Sequence, residues 1–255
     1  MLYSIQHKDS RLVSYLFGTL HLCDKRAYTY FEVAIEKMKL CHAFYAETDL
    51  SKMDAEKVSE SFTLPESLDL IIGTKKYEKC RKALLESFGM DLNFCKHFKP
   101  MYIQTLYTNL VITKDYNTSL DQALYLKALE YNMRTDGLES PEEQYEIAKA
   151  LDLNTQIKIF LKMCRNTPKF RQEIHSMCNL YAQNELSKIY KKGLKSLGNL
   201  KHIILFDRNI KMANKIASNF HNGASFYCCG AAHLAGNGGI IALLKKSGFM
   251  VKTLV

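Results

Sequence analysis

Two stretches near opposite ends of the chain share one pattern. Residues 14–22 read SYLFGTLHL, and residues 226–234 read FYCCGAAHL. Each is a short apolar run followed by Gly, two residues, His and Leu. A short apolar run ending in such a turn reads as a buried strand. Glycine then lets the backbone leave the strand sharply and approach a bound group closely, a role expected of Gly18 and Gly230. In an open α/β sheet, ligands gather outside the carboxyl ends of the strands. Two equivalent strand ends lying side by side would aim His21 and His233 into one crevice.

The rest of the pattern fits an α/β chain. YSIQHKDSRLVSYLF reads as two strands joined by a polar turn at His7 to Arg11. RAYTYFEVAIEKMKLC carries apolar residues at helical spacing, and HAFYAETDL reads as a strand whose polar end delivers Glu47 and Asp49. From about 51 to 198 the periodicity is helical, broken only by LESPEEQ and a short DGLES turn; Ser140-Pro141-Glu142-Glu143 is a helix start. HIILF is ambiguous, but a helical stripe follows from Arg208. SFYCC, IIALLKKSG and FMVKTLV read as strand, helix and strand. The expectation is one domain over 1–255. A central mixed β-sheet would be formed by the N- and C-terminal segments, with flanking helices and a mainly helical insertion at 51–198.

Composition narrows the function classes. With 47% hydrophobic and 24% charged residues among 255, the chain suits a globular protein with a sizeable core. No apolar run reaches the roughly 18 residues of a membrane span. The first residues lack the basic and apolar regions of a signal peptide. The location expected is therefore cytoplasmic, or exported with the leader absent from this sequence. The eight cysteines have no C-x-x-C spacing and read as buried thiols of a reducing compartment. The net charge of +9 favours anionic surroundings, yet no basic and aromatic interleaving points to a nucleic acid. The partner expected is a peptide or small-molecule substrate.

Two imidazoles with one or two carboxylates suit a divalent transition metal such as manganese, cobalt, iron or zinc. Such a metal lowers the pKa of a bound water. Glu47 is the first candidate carboxylate, as ligand or general base, and Glu139 the second. The role expected of Arg208 is to stabilise an oxyanion or clamp a substrate carboxylate, with Asn209 donating a hydrogen bond beside it. Other chemistries lack their patterns. GAAHLAGNGG carries neither a nucleotide-loop Gly-Lys-Ser/Thr nor G-x-G-x-x-G, and the chain has no G-x-S-x-G or H-E-x-x-H. Cys228 and Cys229 lie inside an apolar strand, which disfavours a reactive thiolate.

Five stretches together resemble the TraB/GumN family, which includes the TIKI metalloproteases. They are SYLFGTLH, the AETD carboxylates, GLESPEEQ around Glu139, Arg208-Asn209 before a helix with Met212, and GAAHLAGNGGIIALLKKSGF. They span nearly the whole chain. The resemblance implies a fold related to the erythromycin esterase and ChaN group. It also implies a metal-dependent peptidase preferring manganese or cobalt, with zinc possible, in which both G-x-x-H histidines and a glutamate are essential. His21, His233 and Glu47 would hold the metal. Two other readings stay open: a non-catalytic protein sequestering a peptide, haem or metal, and an esterase with a histidine base and no metal.

Overall fold

A computed structural model describes all of residues 1–255. The fold is α/β, with twelve α-helices and six strands. The strands are β1 (Leu2–His7), β2 (Ser14–Thr19), β3 (Ala43–Thr48), β4 (Arg134–Glu139), β5 (Ser225–Gly230) and β6 (Phe249–Thr253). They form one sheet in the order β4-β3-β5-β2-β1-β6. The sheet is mixed: β3 runs parallel to β4 and β5, and β2 parallel to β5, whereas β1 is antiparallel to β2 and β6. Four parallel strands therefore carry their carboxyl ends to one edge.

Local chemistry explains most of these elements. The β1–β2 connection is a polar turn held by Ser10 N–H to His7 O (3.0 Å) and Gln6 Nε2 to Ser10 O (2.9 Å). Every side chain of β5 before Gly230 is buried, as a central parallel strand covered on both faces requires. Tyr227 of β5 stacks on Tyr45 of β3 with ring centroids 5.0 Å apart. The helix Ile240–Lys246 stops at Ser247, and Gly248 follows with φ 88°.

Two elements differ from the sequence expectation. RTDGLE is not a turn but strand β4, at the sheet edge beside β3. Its residues have little intrinsic strand preference, so pairing with β3 and burial of Leu138 in the core decide its state. HIILF, ambiguous in sequence, forms a π-helical turn, His202–Phe206, in which Asp207 N–H reaches back to His202 O. It leads directly into the helix Asp207–Asn219 that carries Arg208 and Asn209. Such local insertions of π geometry recur at functional sites.

The chain forms two compact units. One comprises Met1–Met53, Lys114–Gln144 and Cys178–Val255 and holds the whole sheet. Its core includes Leu16, Tyr45, Met212, Ile216, Phe220 and Tyr227. The other comprises Asp54–Thr113 and Tyr145–Met177 and is built mainly of helices around Leu84, Leu92, Ile103, Tyr107 and Phe160. No helix is long and apolar enough to cross a membrane.

Candidate functional site

All the residues singled out in sequence lie in the sheet-bearing unit; the histidines and carboxylates stand at or just beyond the carboxyl ends of the parallel strands, and Arg208 and Asn209 in the first turn of the helix Asp207–Asn219. Glu47 lies near the end of β3, and Glu139 closes β4 opposite Thr48. His21 follows β2 in irregular chain. His233 follows β5 in the 3-10 turn Ala231–His233.

The two G-x-x-H segments are neighbours but not structural copies. In the β2–β5 register Gly18 lies opposite Cys229, and Gly230 opposite Thr19, one residue out of step with the sequence repeat. The two glycines consequently do different work. A Cβ on Gly18 would stand 2.7 Å from Leu234 Cδ1 and 3.1 Å from Ala231 Cα, so Gly18 permits close packing beneath the turn that bears His233. A Cβ on Gly230 would stand 3.5 Å from His233 Cδ2, 3.6 Å from Glu47 Oε2 and 4.0 Å from His21 Nε2. The missing side chain of Gly230 thus leaves a small cradle faced by both histidines and Glu47.

A network of charges supports this cradle. Arg208 donates to Glu139 through Nε (2.9 Å to Oε1) and Nη2 (2.6 Å to Oε2), and its Nη2 also meets Glu47 Oε1. Its Nη1 bonds Ile204 O in the π turn at 3.3 Å. Gln144 donates to Glu139 Oε2 (2.6 Å), and Gly230 N–H donates to Glu47 Oε2 (2.9 Å). Burial alone would raise the Glu47 pKa; Arg208, both histidines and the Gly230 N–H override it and hold the carboxyl well below the usual range. At Glu139 burial wins, and its pKa is raised despite Arg208. Arg208 is thereby committed to protein carboxylates rather than presented as a free substrate clamp.

The histidines are electrostatically unlike. His233 is only 5% exposed, and burial lowers its pKa to about 4. Its Nδ1 lies 2.6 Å from Asn209 Oδ1. Asn209 Nδ2 donates to Gly238 O at 2.8 Å, so Oδ1 must face the ring as acceptor and Nδ1 must carry the proton. Both polar ends of Asn209 are therefore in use within the fold. The His21 side chain is 60% exposed, and the nearby Asp121 carboxylate raises its pKa to about 9, an effect that solvent partly screens. Nδ1 of His21 lies 2.7 Å from Asp121 Oδ2, and Nε2 lies 4.0 Å from Glu47 Oε2.

Asp49 serves the local backbone: its Oδ1 accepts from Ser51 N–H (3.0 Å), Ser51 Oγ (2.7 Å) and Tyr125 Oη (3.2 Å). All eight cysteines are free, and burial pushes the Cys228 and Cys229 thiols well above their ordinary pKa. Sequence reasoning missed Asp121 and Thr19. Asp121 sits in the first turn of the helix Leu120–Glu130, where an acid reads simply as favourable to the helix dipole. A cavity of about 530 Å³ adjoins Glu139, lined among others by Lys52, Asp136, Glu143, Lys211 and Lys215. Its lysines are paired to those acids, with Lys52–Asp136 and Lys211–Glu143 each at 2.8 Å.

The donor set has the right kind for a divalent metal: two imidazoles, a carboxylate and a cradle. Each histidine has its Nδ1 engaged by another side chain, which is how metal-ligating histidines are commonly held. No three His, Cys, Asp or Glu side chains are assembled as a ligand cluster, however, and Glu47 is neutralised by Arg208. As folded, these residues do not form a ready metal site.

These features define an α/β protein with a polar cleft at the carboxyl edge of a parallel sheet segment. The TraB/PrgY/gumN family matches residues 1–253, and the chain belongs to it. No curated protein and no solved structure matches the chain.

Proposed function

We propose that this chain is a hydrolase, with peptides as its substrates, acting at the Gly230 cradle. One observation carries the reading: the Gly230 cradle, with His233, Glu47 and His21 all within 4.0 Å of the position a side chain would fill. A site built only for stability would gain by filling that space.

The residues supply distinct capacities. Gly230 N–H and Arg208 hold Glu47 as an anion facing the cradle. His233, neutral near pH 7, offers a lone pair on Nε2 because Nδ1 is protonated toward Asn209. His21, cationic beside Asp121, is suited to donate a proton to a departing group. The resemblance to TIKI-like peptidases motivates manganese or cobalt as cofactor; for His21, His233 and Glu47 to serve as its ligands, His21 would have to give up its proton and Glu47 its pairing with Arg208. Such a cation, when bound, supplies a water of lowered pKa.

A second reading, metal-free acid–base hydrolysis of an ester or amide, is favoured by two features. The histidine pKa values are pushed apart, and no three-ligand cluster is assembled. One experiment separates the readings: cleavage of a quenched-fluorescent peptide library and of ester substrates, with added manganese or cobalt and with a chelator. Peptide turnover dependent on metal and lost in His21→Ala, His233→Ala and Glu47→Gln supports the first. Chelator-resistant turnover that needs both histidines supports the second. Equal activity in wild type and all three variants refutes both.

A further inference from the structure

His21 and His233 are held by side chains of different charge. His233 is met by the amide of Asn209, and His21 by the carboxylate of Asp121. Asp121 is itself fixed. Its Oδ1 accepts a hydrogen bond from the hydroxyl of Thr19, a residue 1% exposed on β2. Its Oδ2 is buried and makes no hydrogen bond of good angle, and its ion-pair contact is with His21 Nδ1 at 2.7 Å. A buried carboxylate oxygen without a partner costs more than about 1–3 kcal/mol, because it is charged. This arrangement therefore favours a proton on Nδ1.

Thr19 also belongs to the motif that delivers the histidine. It occupies the position after Gly18 and two before His21. The strand that launches His21 thus also orients the acid that holds it. Cys229 O of the neighbouring strand lies 3.1 Å from Thr19 Oγ1 and is the alternative acceptor for the single hydroxyl proton that Asp121 takes.

We propose that Asp121 is the positioning residue of His21, and that with Thr19 it keeps the proton on Nδ1 so that Nε2 is presented toward Glu47 and the Gly230 cradle. The inference rests on the reading that His21 works in that cleft. Its test does not require turnover, so the two can fail separately.

The test is nitrogen-15 NMR of the histidine rings in the full chain, at a pH high enough for His21 to be neutral. In wild type, His21 is expected as the Nδ1–H tautomer, with that proton shifted downfield. Asp121→Asn keeps an acceptor of the same shape and should retain the tautomer. Asp121→Ala should move most of the population to Nε2–H, and Thr19→Val should give a mixture. His233 provides the internal control and should stay Nδ1–H throughout. A neutral His21 in the Nε2–H form in wild type overturns the proposal, and this measurement needs no variant to fold. The same tautomer in wild type and in Asp121→Ala also overturns it. Once a substrate is known, Asp121→Ala should lower kcat by about 10–100-fold, as loss of such supporting partners commonly does. Asp121→Asn should restore part of that loss.

Discussion

Arg208 grips Glu139 at two points, Nε at 2.9 Å and Nη2 at 2.6 Å, and the Glu139 side chain is wholly excluded from solvent. The same guanidinium neutralises Glu47, so one cation serves two carboxylates of the cleft. Removing one partner of such a buried network leaves uncompensated charge. Arg208→Met should cost about 3–5 kcal/mol in urea unfolding. The double variant Arg208→Met/Glu139→Gln should recover part of the loss. A cost below about 1 kcal/mol for Arg208→Met would show that the network is not held this way.

The two motif glycines should respond oppositely to alanine. Gly230 has φ −54°, and a Cβ there meets its neighbours at ordinary contact distance, so Gly230→Ala should fold with little change in thermal midpoint. Because that methyl occupies the cradle, hydrolysis should fall severely. Gly18→Ala presses on Leu234 and the Ala231 backbone and should cost about 1–3 kcal/mol. Calorimetry and the peptide assay together check the pair. Loss of stability in Gly230→Ala comparable to Gly18→Ala would contradict it.

The histidines should shape stability on both sides of neutrality. His233 has a folded pKa near 4 against an ordinary 6.5, so the unfolded chain takes up protons first as pH falls. Stability should drop across that interval. His21 has a folded pKa near 9, so its contribution is complete below 6.5 and fades as pH rises through 9, reduced by its exposure. Urea midpoints measured against pH should therefore peak near 6.5. His233→Gln should flatten the acid limb and Asp121→Asn the alkaline limb, and unchanged slopes would count against these assignments.

Cys228 and Cys229 should behave as inert core thiols. Their burial and raised pKa leave almost no thiolate at neutral pH. Iodoacetamide followed by peptide mapping should leave both unmodified in the folded chain and label both in denaturant. Native labelling of either would place it in a more open and electropositive setting than the structure has.

Much of this architecture is legible residue by residue, because local hydrogen bonds and side-chain period write it. The start of the helix Pro141–Ala150 is one instance. Ser140 N–H bonds Glu143 Oε2 at 3.0 Å, and Glu143 N–H bonds Ser140 Oγ at 3.2 Å, within the four residues SPEE that announce it. The hairpin of β1 and β2, the buried run of β5 and the closing strand β6 follow from similarly short stretches. Strand β4 is the exception, since RTDGLE becomes a strand only by pairing with β3.

The candidate site divides along the same line. Sequence by itself determined that two histidines leave apolar strands through glycine, and that Glu47 and Asp49 stand at the polar end of another strand. Tertiary structure alone decided how they meet. It set the β2–β5 register one residue out of step with the repeat, which made Gly18 a packing position and Gly230 an open one. It also brought Arg208 to Glu47 across 161 positions and Thr19 to Asp121 across 102. The physical reason is range: a helix cap or a hairpin turn is stabilised by neighbours a few residues away. The protonation of His21 and His233 depends on which distant helix delivers a carboxylate or an amide to the ring.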